Sequence, residues 1–256
     1  MYVKTKNETL RIGHLSTIYH TNFILLKDRR FSKEIGKKVI WKLYGTGPSI
    51  IDAFRNNELD LAYIGIPPAM VGIDQGVKIR CIAGGHVEGT LLISKKENYK
   101  TLSQFDNDLE KTLRQFEGNI IGVPRRGSIH DVIINHFLNK FKLSKFIEIR
   151  NYSQAELIAL DIMKENIVAG VGTPSLAIFS STLFNSQIIV PPNKLCANNP
   201  SYGIIASENL IQNDPDILKI FLKFHKKATI LLRKHPKKAA FPFISKIHPE
   251  KEHYEL

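Results

Sequence analysis

Leu61-Ala62-Tyr63-Ile64-Gly65-Ile66-Pro67-Pro68 is the stretch on which the fold turns. Five residues suited to a buried strand run without a break into a proline pair. Proline fits the first turn of a helix, where its fixed φ matches and its missing N–H would have been unpaired anyway. The stretch therefore reads as a strand that ends on a helix N-terminus. The same order recurs in Val39-Ile40-Trp41-Lys42-Leu43-Tyr44-Gly45-Thr46-Gly47-Pro48 and in Ile167-Val168-Ala169-Gly170-Val171-Gly172-Thr173-Pro174. Each junction aims free backbone donors at the carboxyl end of a strand. In open α/β sheets ligands sit there, and helix N-termini favour anions. The pattern points to a small-molecule receptor rather than a catalyst.

Outward from these junctions, strand and helix alternate along the chain, which predicts mostly parallel α/β sheets. Strands are expected at 10–14, 61–65, 77–83, 90–94, 120–123, 146–149, 167–171, 187–190 and 202–206. Helices are expected at 22–30, 48–56, 68–75, 128–141, 153–164, from 174, at 215–233 and at 236–248. Ser128 with Asp131 resembles a capping box, and Ser153 with Glu156 a cleaner one. The elements fall into two similar sets, about 8–85 and about 91–195, followed by a segment that crosses back. Two extended links, near 84–89 and near 195–202, read as hinge strands. Gly84, Gly85 and Gly89 would let the first absorb φ/ψ change.

Composition narrows the classes. The 256 residues are 43% hydrophobic and 23% charged, which is ordinary for a globular chain with one large core or two small ones. No stretch approaches the apolar length of a membrane span. The first eight residues are polar and hold no apolar h-region, so the expectation is either a cytoplasmic protein or one whose signal or lipid-anchored leader has been removed. The formal net charge is +12. The Lys and Arg are scattered rather than massed, so they read as a solvated surface and not as a nucleic-acid footprint. In the densest run, Lys223 to Lys238, apolar Ile220, Phe221, Phe224, Ala228, Leu231 and Leu232 lie on the other side of a helix. Two cysteines are too few for a disulfide framework or a Cys-rich metal site. Cys81 lies in an apolar run and reads as a core residue; Cys196 reads as a loop residue.

Four segments in order carry a resemblance. They are Leu10-Arg11-Ile12-Gly13-His14, Leu59-Asp60-Leu61-Ala62-Tyr63-Ile64-Gly65-Ile66-Pro67-Pro68-Ala69, Gly118-Asn119-Ile120-Ile121-Gly122-Val123-Pro124-Arg125-Arg126-Gly127-Ser128, and the helix from Asn213-Asp214-Pro215-Asp216 to Pro236. Together they resemble the type II periplasmic solute-binding proteins of the nitrate/sulfonate/taurine ABC-transporter family, whose scaffold thiamine-pyrimidine synthesis proteins share. The resemblance covers nearly the whole chain, and only the part after Lys246 looks short for the family, so the last helix is expected to be missing.

The resemblance implies an α/β fold of two lobes, each a mixed, mostly parallel sheet flanked by helices, joined by two hinge strands. The expected lobes are 8–87 plus 204–256, and 88–203, with the ligand cleft between them. It implies a receptor that captures a small anionic, sulfonate- or nitrate-like solute and delivers it to an ABC-transporter permease. No covalent chemistry and no cofactor or metal is implied. The expected form is a monomer outside the cytoplasm, touching the membrane only through a removed leader or lipid anchor.

Matched to the family's contact loops, the first lobe offers Ser16, Thr17 and His20, then Thr46 and Gly47, then Ile66 and Pro67. The second offers Arg125, Ser128 and His130 around one helix start and Thr173 around another. Ser128 and Thr173 are equally suited to plain N-capping, and Thr46 to a turn. Arg125 and Arg126 are adjacent, so at most one faces the cleft, and a solvated pair is the alternative. Glu88, at a proposed crossing, suits either a cationic ligand group or a hinge contact. Tyr19, Tyr63 and Tyr202 suit stacking on a flat ligand, with core burial the simpler reading of Tyr63.

Three rival functions share this scaffold or its role. Thiamine-pyrimidine synthesis relatives use a histidine after the third strand, a lysine four residues earlier and a cysteine-rich run. Those positions are Pro68 and Ile64 here, and no such run exists. A ligand-sensing domain of a LysR-type regulator would need a helix-turn-helix before Leu10. Transport of a pyrimidine-like heterocycle would call for aromatic cleft walls instead of a cage of donors.

Overall fold

The computed structural model describes residues 8–15 and 21–239. Its first elements are β1 (Thr9–His14), α1 (Thr21–Lys27), α2 (Arg29–Ile35), β2 (Lys38–Leu43), α3 (Gly47–Arg55), β3 (Leu61–Gly65), α4 (Ile66–Asp74) and β4 (Ile79–His86). A second series holds β5 (Leu91–Lys95), a 3-10 turn (Leu102–Phe105), α5 (Leu109–Arg114), β6 (Ile120–Pro124), α6 (Ile129–Lys140), β7 (Glu148–Tyr152) and α7 (Ala155–Met163). It continues with β8 (Ala169–Gly172), α8 (Pro174–Leu183), β9 (Ser186–Val190) and α9 (Pro192–Leu195). The chain then returns through β10 (Tyr202–Ser207), α10 (Glu208–Asn213) and α11 (Pro215–Lys234).

The strands form two five-stranded sheets, ordered β2-β1-β3-β10-β4 and β7-β6-β8-β5-β9. In the first, β1 is parallel to β2 and β3, while β10 runs antiparallel to β3 and β4. In the second, β6 is parallel to β7 and β8, while β5 runs antiparallel to β8 and β9. The sheets are mixed as expected, with parallel pairings half of each rather than the larger share. The chain passes between them at 87–90 and again at 196–201, so the two links predicted from the sequence are the two crossings.

The alternation of β3 builds the first core. Leu61 and Tyr63 point to one face, where Leu10, Ile12, Ile204, Phe31 of α2 and Phe221 and Phe224 of α11 close over them. Ala62 and Ile64 point to the other, against Ile50, Ile51 and Phe54 of α3 and Ala69 of α4. Every residue of β3 is buried, as a strand covered on both faces requires. The second sheet repeats the plan. Ile121, Val123, Ala169 and Val171 pack with Ile133, Ile134 and Leu138 of α6, and Leu91 and Ile93 with Ile158 and Ile162 of α7 and Leu176 of α8.

Several expectations change. The helix expected over 22–30 is two, because the Asp28 carboxylate accepts the Arg30 N–H at 2.9 Å and caps a new start. β4 does not stop at Ala83; it runs through Gly84 and Gly85 to His86, paired with β10, so only Gly89 of the three glycines lies in the link. Cys81 is exposed, because β4 is an edge strand covered on one side. Cys196 is half-buried, and both thiols are free. β7 starts two residues later than expected, since Phe146 is 56% exposed and its apolar character does not mark the sheet. Ser153 and Glu156 form no capping box, as α7 starts from Gln154 without a side-chain cap. The helix expected over 236–248 lies mostly outside the described residues.

Candidate ligand site between the sheets

The proline junctions meet where the sheets face each other. α3 begins from Thr46, whose hydroxyl accepts the Ser49 N–H at 3.4 Å while the Ser49 hydroxyl takes the Thr46 N–H at 3.3 Å. This reciprocal cap holds the Gly47-Pro48 turn, and a Cβ on Gly47 would sit 2.6 Å from Pro68 Cγ. α6 begins from Ser128, whose hydroxyl accepts the Asp131 N–H at 3.3 Å. The expected reciprocal contact is displaced by one residue: the Asp131 carboxylate accepts the Gly127 N–H at 2.9 Å instead. It also accepts from Asn135 Nδ2 at 3.0 Å and Asn151 Nδ2 at 3.1 Å. Asp131 is buried, so it locks the loop before α6 from the inside. The two starts approach each other, since a Cβ on Gly127 would lie 3.9 Å from Pro48 Cγ.

A cavity of about 40 Å³ opens at the crossings. Gly65 and Tyr202 reach it from the first sheet, and Ile129, His130 and Thr173 from the second. The end of β4 adds His86, and the crossings add Glu88, Gly89, Thr90 and Ser201. The His130 Nδ1 is 3.0 Å from the Thr90 hydroxyl. The His86 ring stacks on Tyr202, centroids 5.2 Å apart and 19° from parallel. Gly89 has φ +90, and a Cβ there would fall 2.6 Å from His86 Nε2, so glycine is required both by conformation and by space. Glu88 also lies at positive φ, 63°. Its N–H donates to Asn199 O at 2.7 Å, and its carboxylate accepts the Asn198 N–H at 3.2 Å. Glu88 thereby ties the first crossing to the second.

Burial disfavours the charged form of both histidines. Desolvation pushes His130 down to about 4, and the nearby His86 adds a like-charge push. Desolvation also lowers His86, opposed by a backbone hydrogen bond with Glu88. Thr173 occupies the cap position of α8, yet its side chain makes no capping bond. Its hydroxyl is left for the cavity.

The candidate residues thus divide. Glu88, His130 and Thr173 share the cavity. Thr46, Gly47 and Ser128 sit at the two facing helix starts. Ile66 and Pro67 open α4, where the Ile66 N–H donates to Ser201 O at 3.0 Å. Arg125 and Arg126 are both exposed and outside the cavity wall. Ser16, Thr17, His20 and Tyr19 lie outside the described residues. Tyr63 is core, 1% exposed. Sequence reasoning missed His86 and Thr90. Ending the strand at Ala83 put His86 in a flexible link, whereas its position at the end of a paired strand aims it at the crossing.

A second polar cluster lies apart from the cavity wall. Thr21 Oγ1 is 2.9 Å from His225 Nδ1 and 3.2 Å from Tyr63 Oη, and His225 Nε2 is 3.1 Å from Gly84 O. With Nε2–H donating to that carbonyl, Nδ1 is the acceptor for Thr21. The cluster ties α1, β3, α11 and β4 together. Among the described residues no group of His, Cys, Asp or Glu is placed to hold a metal ion.

The fold is that of the two-lobed solute-binding components of ABC importers. The alkanesulfonate-binding protein SsuA of Xanthomonas axonopodis pv. citri, bound to MOPS, matches with a TM-score of 0.74 at 14% identity, over 95% of this chain and 80% of that one. A ligand-binding component of an ABC-type import system from Staphylococcus aureus, with zinc bound, matches with a TM-score of 0.74 at 17% identity, over 94% and 79%. The nitrate-binding protein NrtA of Synechocystis PCC 6803 matches with a TM-score of 0.73 at 12% identity, over 91% and 64%. No curated protein is similar enough in sequence to count as a match. The chain belongs to the NMT1-like family, whose model matches residues 3–241.

Proposed function

We propose that the chain is the solute-binding receptor of an ABC importer. It captures a small anion of the sulfonate or nitrate kind between two lobes and delivers it to the permease; the chain returns to the first lobe at Tyr202, two residues earlier than the expected 204, because β10 starts there. The single observation that carries this reading is the cavity at the crossings, walled from both sheets by hydroxyls and by neutral imidazoles. A ligand there touches both lobes at once, so it favours the closed arrangement over the open one by its differential contacts. The starts of α3 and α6 face each other nearby and supply backbone N–H groups of the polarity an anion needs.

In this reading Thr46, Gly47, Ile66 and Pro67 form the first-lobe wall. Ser128, His130 and Thr173 form the second-lobe wall, Arg125 supplies field from the rim, and Glu88 latches the crossings. The protein works as a monomer outside the cytoplasm and binds without reacting. Family membership and the fold shared with solute-binding components of importers support the reading.

The test is a thermal-shift and solution-scattering screen with nitrate, bicarbonate, alkylsulfonates, taurine and pyrimidines. A ligand of the anionic class should raise the melting temperature and reduce the radius of gyration together. Turnover of a pyrimidine precursor, or stabilisation by none of the anions, overturns the reading.

A further inference from the structure

The cavity at the crossings brings together two imidazoles, one from a strand of the first sheet and one from a helix packed on the second. His86 ends β4, and His130 stands in the first turn of α6. Each is fixed by a second group: His86 by its stack on Tyr202 and by the close approach of Gly89, and His130 by Thr90 at 3.0 Å. Among the described residues His130 Nε2 has no hydrogen-bond partner. An empty cavity with two enclosed imidazoles disfavours a proton on either, because the cation is desolvated and repelled by the other ring. An anion between them reverses both penalties.

We propose that the His86–His130 pair couples anion capture to proton capture: one proton enters from solvent with each anion and stays on the pair until release. The inference rests on the receptor reading above. In the imidazolium form of His130 both nitrogens donate, Nδ1 to Thr90 Oγ1 and Nε2 into the cavity. The bound anion therefore gains a charge-assisted donor that the empty site lacks.

The other charged groups around the pair leave this role to it. Glu88, on the first crossing, is the carboxylate in the cavity wall, and it is engaged by the Asn198 N–H. Asp131, next to His130 on α6, is turned to Gly127, Asn135 and Asn151. Arg125 and Arg126, in the loop before α6, are exposed. β10 contributes the neutral Tyr202, the second crossing Ser201 and the α8 start Thr173.

The experiment is calorimetric titration of the whole chain with nitrate and with methanesulfonate, in pairs of buffers that differ in ionisation enthalpy, across a series of pH values. Proton uptake approaching one per anion is expected, with affinity rising up to about tenfold per pH unit as pH falls through the window between the free and bound values of the pair. Histidine 15N spectra of the unaltered protein give the same readout without a variant: a ring that is neutral in the empty protein should become protonated when nitrate is added. His130→Gln should abolish the uptake and flatten the pH profile. Binding of either anion with no proton uptake and no change in the histidine spectra overturns this inference and leaves the receptor reading standing. Failure of both anions to bind the unaltered protein overturns the two together.

Discussion

Two threonines in equivalent places do different work. Thr46 caps α3 with its side chain, while Thr173, at the start of α8, does not cap. Thr46→Ala is therefore expected to cost about 1 kcal/mol of stability, and Ser128→Ala a similar amount. Thr173→Val should shift stability by less than about 0.5 kcal/mol, yet weaken anion binding by up to about tenfold through one lost hydrogen bond. Urea unfolding and calorimetry separate the two effects, and equal stability losses at all three positions would contradict the assignment. Asp131 is the opposite extreme. Its buried carboxylate serves three donors, Asn135 on its own helix and Gly127 and Asn151 outside it, and Asp131→Ala takes that acceptor from all three at a cost of about 2–4 kcal/mol. Asp131 was legible as a helix-start residue, because Ser128 stands three positions before it. That its carboxylate reaches back to Gly127 depends on the turn at Gly127, where φ is +81, and spacing alone does not report a dihedral.

At the scale of elements, the strands easiest to read were those covered on both faces. β3, β8 and most of β6 and β10 are buried along their length, so their apolar runs stand out, and a proline just after β3 and β8 marks where those two end. Edge strands were harder. β4 and β7 have one open side, and their half-polar sequences blur their limits. The 3-10 turn and α5 passed unread because they are short and polar. Missing the end of β4 had a functional consequence, because it hid His86. The crossing that follows is sensitive for a physical reason already visible at Gly89. Gly89→Ala must strain a backbone at φ +90 and displace the His86 ring, so it should lower both stability and anion affinity. A variant that binds nitrate as well as the parent would show that the ring is not positioned by this contact. α11 carried a similar surprise. Its basic run suggests a solvated helix, yet His225 lies inside the buried stripe beside Phe221 and Phe224.

Over the whole molecule, four histidines are neutral in the folded state for one reason. Desolvation lowers His14, His86, His130 and His225 below the ordinary value. The unfolded chain therefore takes up protons first as pH falls. Stability from these groups is complete above about pH 6.5 and declines below it, and for His130 the decline continues to about 4. The urea midpoint of the empty protein should be lower at about pH 5 than at about pH 7.5. A midpoint that holds or rises on acidification would contradict the burial of these rings.

The return of β10 to the first sheet has a consequence for how the chain is made. That strand lies between β3 and β4, and β4 pairs in its sheet only with it. The second sheet is assembled from one uninterrupted stretch, 91–190. A ribosome that has released residue 200 has thus delivered every strand of the second sheet, while the first still has a vacant central slot and a stranded edge. The half of the molecule translated first is the last that can close, and nascent chains halted before residue 202 should resist protease only in their later half.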